Sequence, residues 1–108
     1  MAKQIVLTYE GKDYTLEFNR KIVKRMESNG FVAGDIGDMP VSGILTLFHG
    51  AFLKNHPHIR AEQTEAIWDA QRCKDKLLVE LISMYTEPVA SLMDETDADD
   101  ENPTWKVV

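Results

Sequence analysis

The chain has 108 residues, of which 44% are hydrophobic and 28% charged, and this composition is typical of a single globular domain. No stretch approaches the roughly 18 consecutive apolar residues that a membrane-spanning helix needs, so the sequence predicts no membrane span. The first residues also lack the apolar segment and cleavage site of a secretory signal. Because Cys73 is the one cysteine, no internal disulfide can form, and we expect a protein of the reducing cytoplasm.

The formal net charge of −6 is concentrated near the C-terminus, where six of the eight residues at positions 94–101 are acidic. Such a block of like charges repels itself and favours disorder. The sequence therefore predicts one folded domain over residues 1–93 and a flexible acidic tail over residues 94–108. Because no basic stripe accompanies the tail, the charge pattern does not favour nucleic-acid binding.

Two β-rich runs, residues 4–9 and 14–18, predict a hairpin with Gly11 at positive φ in the connecting turn. Strand alternation should place one set of side chains against the helices: Ile5, Leu7, Tyr9, Tyr14, Leu16 and Phe18. The same alternation should point the other set to water: Thr8, Thr15 and Glu17.

Four helical patterns follow the hairpin. Asn19 is a good N-cap for the first helix, which should end at Asn29-Gly30 with Phe31 folding back as a hydrophobic contact. The predicted helices span residues 20–28, 40–54 and 61–71, and a fourth begins after Asp75 as N-cap.

Pro88 should kink or break the fourth helix, because proline has no amide hydrogen. The predicted fold class is therefore α+β, with an N-terminal two-stranded β-hairpin packed on about four α-helices and a disordered acidic C-terminal tail.

Residues with the potential for catalysis or metal binding do not form a recognisable site. His49, His56 and His58 lack the spacing of a closed zinc site. Cys73 has basic neighbours but no nearby histidine to serve as a base. No glycine-rich phosphate loop is present. We predict no catalytic residue, no cofactor and no metal, and hence a protein that is not an enzyme.

Apolar side chains on the second and fourth helices exceed what so short a chain needs for its core. They are either absorbed by the core or form a protein-binding groove or a self-association surface. An aromatic segment, NPTW, follows the acidic block and also suits docking on a partner. The candidate partner-binding residues are Leu45, Phe48, Phe52, Trp68, Ile82, Tyr85, Val89, Leu92 and Trp105. Deformable contacts are expected from Met26, Met39, Met84 and Met93.

Four segments give a more specific indication: YEGKDYTLEFNRKIVKRMESNGF (9–31), LFHGAFLKNHP (47–57), AIWDAQRCKDKLLVELISMYTEPVASLMDE (66–95) and NPTW (102–105). Their order resembles that of small tail assembly chaperones of long-tailed, siphovirus-type bacteriophages. The resemblance implies binding to the tape measure protein, recruitment of tail tube subunits, and location in the cytoplasm of the infected host but not in the mature virion. It also implies, in many members, a longer product made by ribosomal frameshifting. Since no nucleotide site is visible, ATP-independent holding is expected.

Two other functions stay open. An acidic nucleic-acid mimic or anti-repressor would bind a DNA-binding protein, but it needs carboxylates arrayed on a folded surface. A structural tail or head-completion subunit would persist in purified particles. The three functions therefore differ in where the charge lies and in whether the protein remains in the virion.

Overall fold

The computed structural model of the chain describes residues 4–92. Within this range an antiparallel hairpin is followed by four α-helices, so the predicted α+β fold is confirmed. The predicted acidic tail lies outside the described residues. The strands are β1 (Ile5–Tyr9) and β2 (Lys12–Leu16), and the helices are α1 (Arg20–Ser28), α2 (Pro40–Phe52), α3 (Ala61–Asp69) and α4 (Lys74–Ser91), with a short 3-10 turn over Ala33–Asp35.

The hairpin is tighter than predicted. Glu10 and Gly11 both have positive φ, at 50° and 78°, as the central residues of a two-residue hairpin turn require. β2 therefore begins at Lys12, and Leu7 pairs with Tyr14 across the strands. The predicted apolar face is confirmed where it meets the helices, because Leu7 and Leu16 are buried.

α2 lies at the centre of the domain and contacts β2, α3 and α4. Pro40 occupies the first turn, where its missing amide hydrogen costs no hydrogen bond. The core around α2 combines side chains with no exposed surface from its last two turns and from the surrounding elements: Leu16, Leu47, Phe48, Ala51, Phe52 and Leu81. One helix therefore supplies the interior against which the others pack.

Glu17 is buried, so the prediction that it points to water is wrong. β2 ends one residue earlier, and the Glu17 amide donates to the Ala51 carbonyl of α2 at 2.9 Å instead of continuing the strand pairing. Its carboxylate forms an ion pair with Lys54 Nζ at 2.6 Å. It also accepts hydrogen bonds from Gln4 at 2.8 Å and Asn55 at 3.3 Å. The buried charge is thus fully partnered, as burial of a carboxylate demands.

The residues after α2 also bind the backbone of β2. Asn55 Nδ2 donates to the Thr15 carbonyl at 3.2 Å, and the Thr15 amide donates to His56 Nε2 at 3.2 Å. The His56 ring packs edge-on against Tyr14, with centroids 5.1 Å apart. Because Nε2 accepts a hydrogen bond, His56 is a structural link between α2 and the hairpin.

α4 departs from prediction at both ends. Its N-cap is Cys73, at φ 55°, and Asp75 lies inside the first turn, where its charge suits the helix dipole. Pro88 neither ends nor interrupts the helix, which continues to Ser91. Arg20 explains part of this continuation, because its guanidinium donates to Ser91 Oγ at 3.1 Å and to the Ser91 carbonyl at 2.8 Å. α1 thereby stabilises the last turn that Pro88 weakens.

Replacing Glu17 by glutamine should destabilise the domain at neutral pH. The pKa of Glu17 is lowered from its ordinary value of 4.5, chiefly by the hydrogen bond from Lys54, against the opposing effect of burial. A lowered folded-state pKa contributes stability above the unfolded-state pKa, and this contribution is lost as the pH falls through the folded-state pKa. Glu17→Gln should lower the free energy of unfolding by about 1.5–3 kcal/mol near pH 7, the usual worth of a hydrogen bond to a charged group.

Urea denaturation between neutral and acidic pH measures this effect. The difference between wild type and Glu17→Gln should shrink as the solution becomes more acidic than the ordinary value of 4.5. Glu87→Gln, at an exposed position of α4, is the matched control and should change stability little at any pH. A constant difference across the pH range would contradict a stabilising role for the Glu17 charge.

Candidate functional site

Phe48 and Phe52 are core residues, which corrects their prediction as partner contacts. Both have 0% exposure, and their rings pack edge to face with centroids 5.0 Å apart. A partner could reach them only if the domain opened. The apolar excess predicted for α2 is therefore used mainly in the centre of the fold.

Leu45 and Trp68 remain half-buried and line a small cleft between α2 and α3. The Trp68 ring packs edge-on against Phe48, with centroids 5.0 Å apart. Val41, which the sequence analysis did not single out, is 74% exposed at the rim. This α2–α3 cleft has a volume of about 310 Å³ and is lined by Pro40, Val41, Ile44, Leu45, Glu65, Trp68 and Asp69.

The outer face of α4 exposes a regular row of aliphatic side chains. Val79, Ile82 and Val89 are 64%, 38% and 45% exposed. With Thr86, also exposed, they follow one another at intervals of three, four and three residues, so they lie along one line on the helix. We call Val79, Ile82, Thr86 and Val89 the α4 stripe. Leu92 is exposed just beyond it, and the predicted Trp105 lies outside the described residues.

The α4 stripe leads into a second cleft, formed by the end of α1, the following loop and α4. Tyr85 is buried beside it, and the Phe31 ring packs edge-on against Tyr85, with centroids 5.3 Å apart. Burial is the main cause that raises the pKa of Tyr85, and the nearby charge of Glu27 adds to it, so the hydroxyl stays neutral. This Phe31 cleft has a volume of about 400 Å³ and is lined by Glu27, Phe31, Val32, Ala33, Tyr85, Thr86 and Val89.

The C-cap of α1 determines where Phe31 lies. Gly30 adopts φ 92°, its amide donates to the Glu27 carbonyl at 3.0 Å, and the Phe31 amide donates to the Met26 carbonyl at 3.0 Å. These two bonds are the Schellman pattern, which turns the chain back over the last helical turn. The predicted packing of Phe31 back against the domain is confirmed, because its side chain contacts the core.

A third apolar groove, of about 290 Å³, shares Phe31 and Val32 with the Phe31 cleft and is bordered by α2. His49 lines it, with Nδ1 3.1 Å from Thr64 Oγ1. Because the Thr64 hydroxyl donates to the Ala61 carbonyl, its oxygen is left to accept from His49 Nδ1–H. Burial, with the nearby charge of Arg25, lowers the pKa of His49. His49 is therefore a neutral side chain held by a structural hydrogen bond.

Residues 4–92 contain no group of three histidine, cysteine, aspartate or glutamate side chains placed to hold a metal ion. None of the helices in this range is long and apolar enough to cross a membrane. The surfaces of the described part of the chain include apolar clefts and the α4 stripe. Their chemistry suits contact with another polypeptide.

Comparison with protein families matches residues 1–108 to a model described as a domain of unknown function, DUF5055. The chain belongs to this family. No curated protein and no solved structure matches it.

Replacing Gly30 by alanine should loosen the C-cap of α1 and with it the Phe31 cleft. A left-handed conformation costs a residue with a Cβ roughly 1–2 kcal/mol, so the free energy of unfolding should fall by about that amount. Gly34→Ala is the matched control, because no atom lies within 4 Å of a Cβ built there and its φ is not in the left-handed range. Urea denaturation should show little change for the control. Equal loss in both variants would contradict the role assigned to the cap.

Proposed function

We propose that this protein is a tail assembly chaperone of long-tailed bacteriophages. It binds helical segments of the tape measure protein, helps to recruit tail tube subunits, and works without ATP. Two lines of support combine. The sequence resembles such chaperones over residues 9–31, 47–57 and 66–95, and the folded domain leaves a row of aliphatic side chains uncovered on α4. The α4 stripe is the observation that carries the proposal.

The spacing of the α4 stripe specifies the shape of its partner. Residues separated by three, four and three positions occupy the seam of a heptad repeat, which packs against a second helix at a shallow crossing angle, and three of the four are apolar here. Val79 and Thr86 occupy one of the two alternating seam positions, and Ile82 and Val89 the other. An amphipathic helix of the client would cover them, as in other cases where a helix binds an apolar surface.

The strength expected of this contact suits a chaperone. Burying a valine or isoleucine fully is worth about 1.5–3 kcal/mol, and these side chains are already partly buried in the free protein. The contacts of Val79, Ile82 and Val89 must also offset the entropy that two molecules lose when they associate. A single stripe therefore gives weak, reversible binding, and a long client with several apolar helices would hold several copies of the chaperone at once.

We assign the second activity, recruitment of tube subunits, to the α2–α3 cleft. It shares no lining residue with the Phe31 cleft, so two partners could be bound through separate surfaces. A protein that brings two others together needs such a separation. This assignment does not depend on the assignment of client binding to α4, so either one can be wrong while the other is right.

The described charges do not favour the alternative of a nucleic-acid mimic. Residues 4–92 contain 12 acidic and 10 basic side chains, a difference of −2, which is far from the dense carboxylate array that would imitate a phosphate backbone. The alternative of a structural subunit is distinguished by mass spectrometry of purified virions, where a chaperone should be absent.

Aspartate substitutions on the α4 stripe should abolish client binding without unfolding the domain. Co-expression of the double variant Val79→Asp, Val89→Asp with the tape measure protein should leave that client insoluble, whereas the wild-type chain should keep it soluble. Because covering the exposed parts of the two valines is worth about 1.5 kcal/mol or more in total, the affinity for a client helix should fall at least roughly tenfold. Isothermal titration calorimetry with a peptide from an amphipathic helix of the tape measure protein measures this affinity directly.

Val6→Asp and Val41→Asp are matched controls, since both valines are as exposed as those of the stripe. Val6→Asp should retain every activity. Val41→Asp should keep the client soluble but lose capture of the tube protein. Circular dichroism should show each variant folded. If Val41→Asp abolishes client binding while the α4 variant retains it, the assignment of α4 is wrong. If the α4 variant instead has a lower molecular mass than the wild type in sedimentation, the stripe pairs two copies of this chain.

A further inference from the structure

The outer face of α1 is strongly basic. Arg20, Lys21, Lys24 and Arg25 are all exposed, and residues three and four apart on a helix are neighbours. The pairs Arg20 with Lys24 and Lys21 with Arg25 therefore bring like charges together. No acidic residue lies in the first turn, so the positive end of the helix dipole adds to the charges of Arg20 and Lys21. This arrangement is unfavourable unless an anion lies against it.

The described part of the chain does not supply that anion. Within residues 4–92 no ion pair joins a cation of α1 to a carboxylate, and the ion pair found there joins Lys54 to Glu17. Arg20 is directed to neutral acceptors, the hydroxyl and carbonyl of Ser91. Lys21, Lys24 and Arg25 are left for a negatively charged ligand.

The geometry around Arg20 indicates where such a ligand can come from. Because Arg20 binds the last residue of α4, the chain continues beyond Leu92 from a point beside the first turn of α1. Asp94 follows three residues after Ser91, a reach of at most about 10 Å. The five residue steps from Arg20 to Arg25 cover only about 7.5 Å along the helix. The eight positions 94–101, with six carboxylates, are long enough to span the whole basic face.

We propose that the acidic segment 94–101 binds the outer face of α1 in the same molecule. Its carboxylates pair with Lys21, Lys24 and Arg25, and they offset the repulsion among these cations. Since the α1 cations are exposed, the contact is reversible and sensitive to salt. It covers the basic face against other anions, including nucleic acid and acidic proteins. This inference goes beyond the chaperone function and does not depend on it.

Paramagnetic relaxation in the full chain tests the proposal. A nitroxide attached to Thr96→Cys, in a chain that also carries Cys73→Ser, should broaden the amide signals of residues 20–25 more than those of β1, α3 or the α2–α3 cleft. In salt of about 1 M, where the Debye length is roughly 3 Å, the broadening should fall at least about two-fold. The substitutions Lys21→Gln, Lys24→Gln and Arg25→Gln should remove it at low salt. The matched control Lys12→Gln, Arg72→Gln and Lys76→Gln, all at exposed positions, should retain it.

Two outcomes would overturn the proposal. Broadening that is spread evenly over the domain, or that is unchanged by salt and by the α1 substitutions, would show that the segment has no preference for α1. A mixture of spin-labelled protein without isotope and isotope-labelled protein without a spin label reports contacts between molecules. If residues 20–25 broaden in this mixture as strongly as in the doubly labelled protein, the segment binds another copy and the intramolecular contact is excluded.

Discussion

Burial of α2 is the constraint on which the rest of the structure depends. Phe48, Phe52 and Leu47 have no exposed surface, so the hairpin, α3 and α4 must each cover part of one helix. In a chain of this size a single central helix can use most of the available core-forming side chains. The large apolar residues of α2 therefore serve stability, and the proposed contacts with partners have to use side chains that remain at least partly exposed.

The hairpin is joined to α2 through polar contacts as well as through the core. Glu17, Lys54 and Asn55 form a partnered cluster at the end of α2, and His56 accepts from the backbone of β2. Such contacts have strict geometry, whereas hydrophobic contact alone would allow the two strands to slide. A two-stranded hairpin is marginal by itself, so this attachment gives it a defined position.

Local signals in the sequence predicted the elements well, and failures arose where distant residues decide the outcome. Asn19, Gly30 and Pro40 act within one helical turn, and the corresponding helix ends were predicted correctly. Burial of Glu17 depends on Lys54, which is far along the chain, so strand alternation gave the wrong side. Continuation of α4 through Pro88 likewise accompanies a contact made by Arg20, which is far from Pro88 in the sequence.

Local sequence signals were also insufficient to predict the candidate site. α4 carries apolar residues on two sides, and helical periodicity cannot tell which side faces the core. Tyr85 faces inward with Leu81, which corrects its prediction as a partner contact, whereas Ile82, also predicted as a partner contact, and Val79, which was not singled out, lie outside. Phe48 and Phe52 are predicted as partner contacts from the apolar surplus of α2, but both are buried. Size favours the interior when the chain has one central helix to bury.

The character of the exposed surface also changes the kind of recognition to be expected. Adaptable methionine contacts were predicted; Met26 and Met84 are buried, Met39 is exposed at the N-cap of α2 and not on α4, and Met93 lies outside the described residues. The α4 stripe instead presents β-branched valine and isoleucine, which have few rotamers and lose little entropy on binding. It lies on a helix, whose backbone is already ordered. Such a surface selects the spacing of apolar residues on its partner more than their identity, so a client would be recognised by its helical seam, wherever that seam recurs along its length.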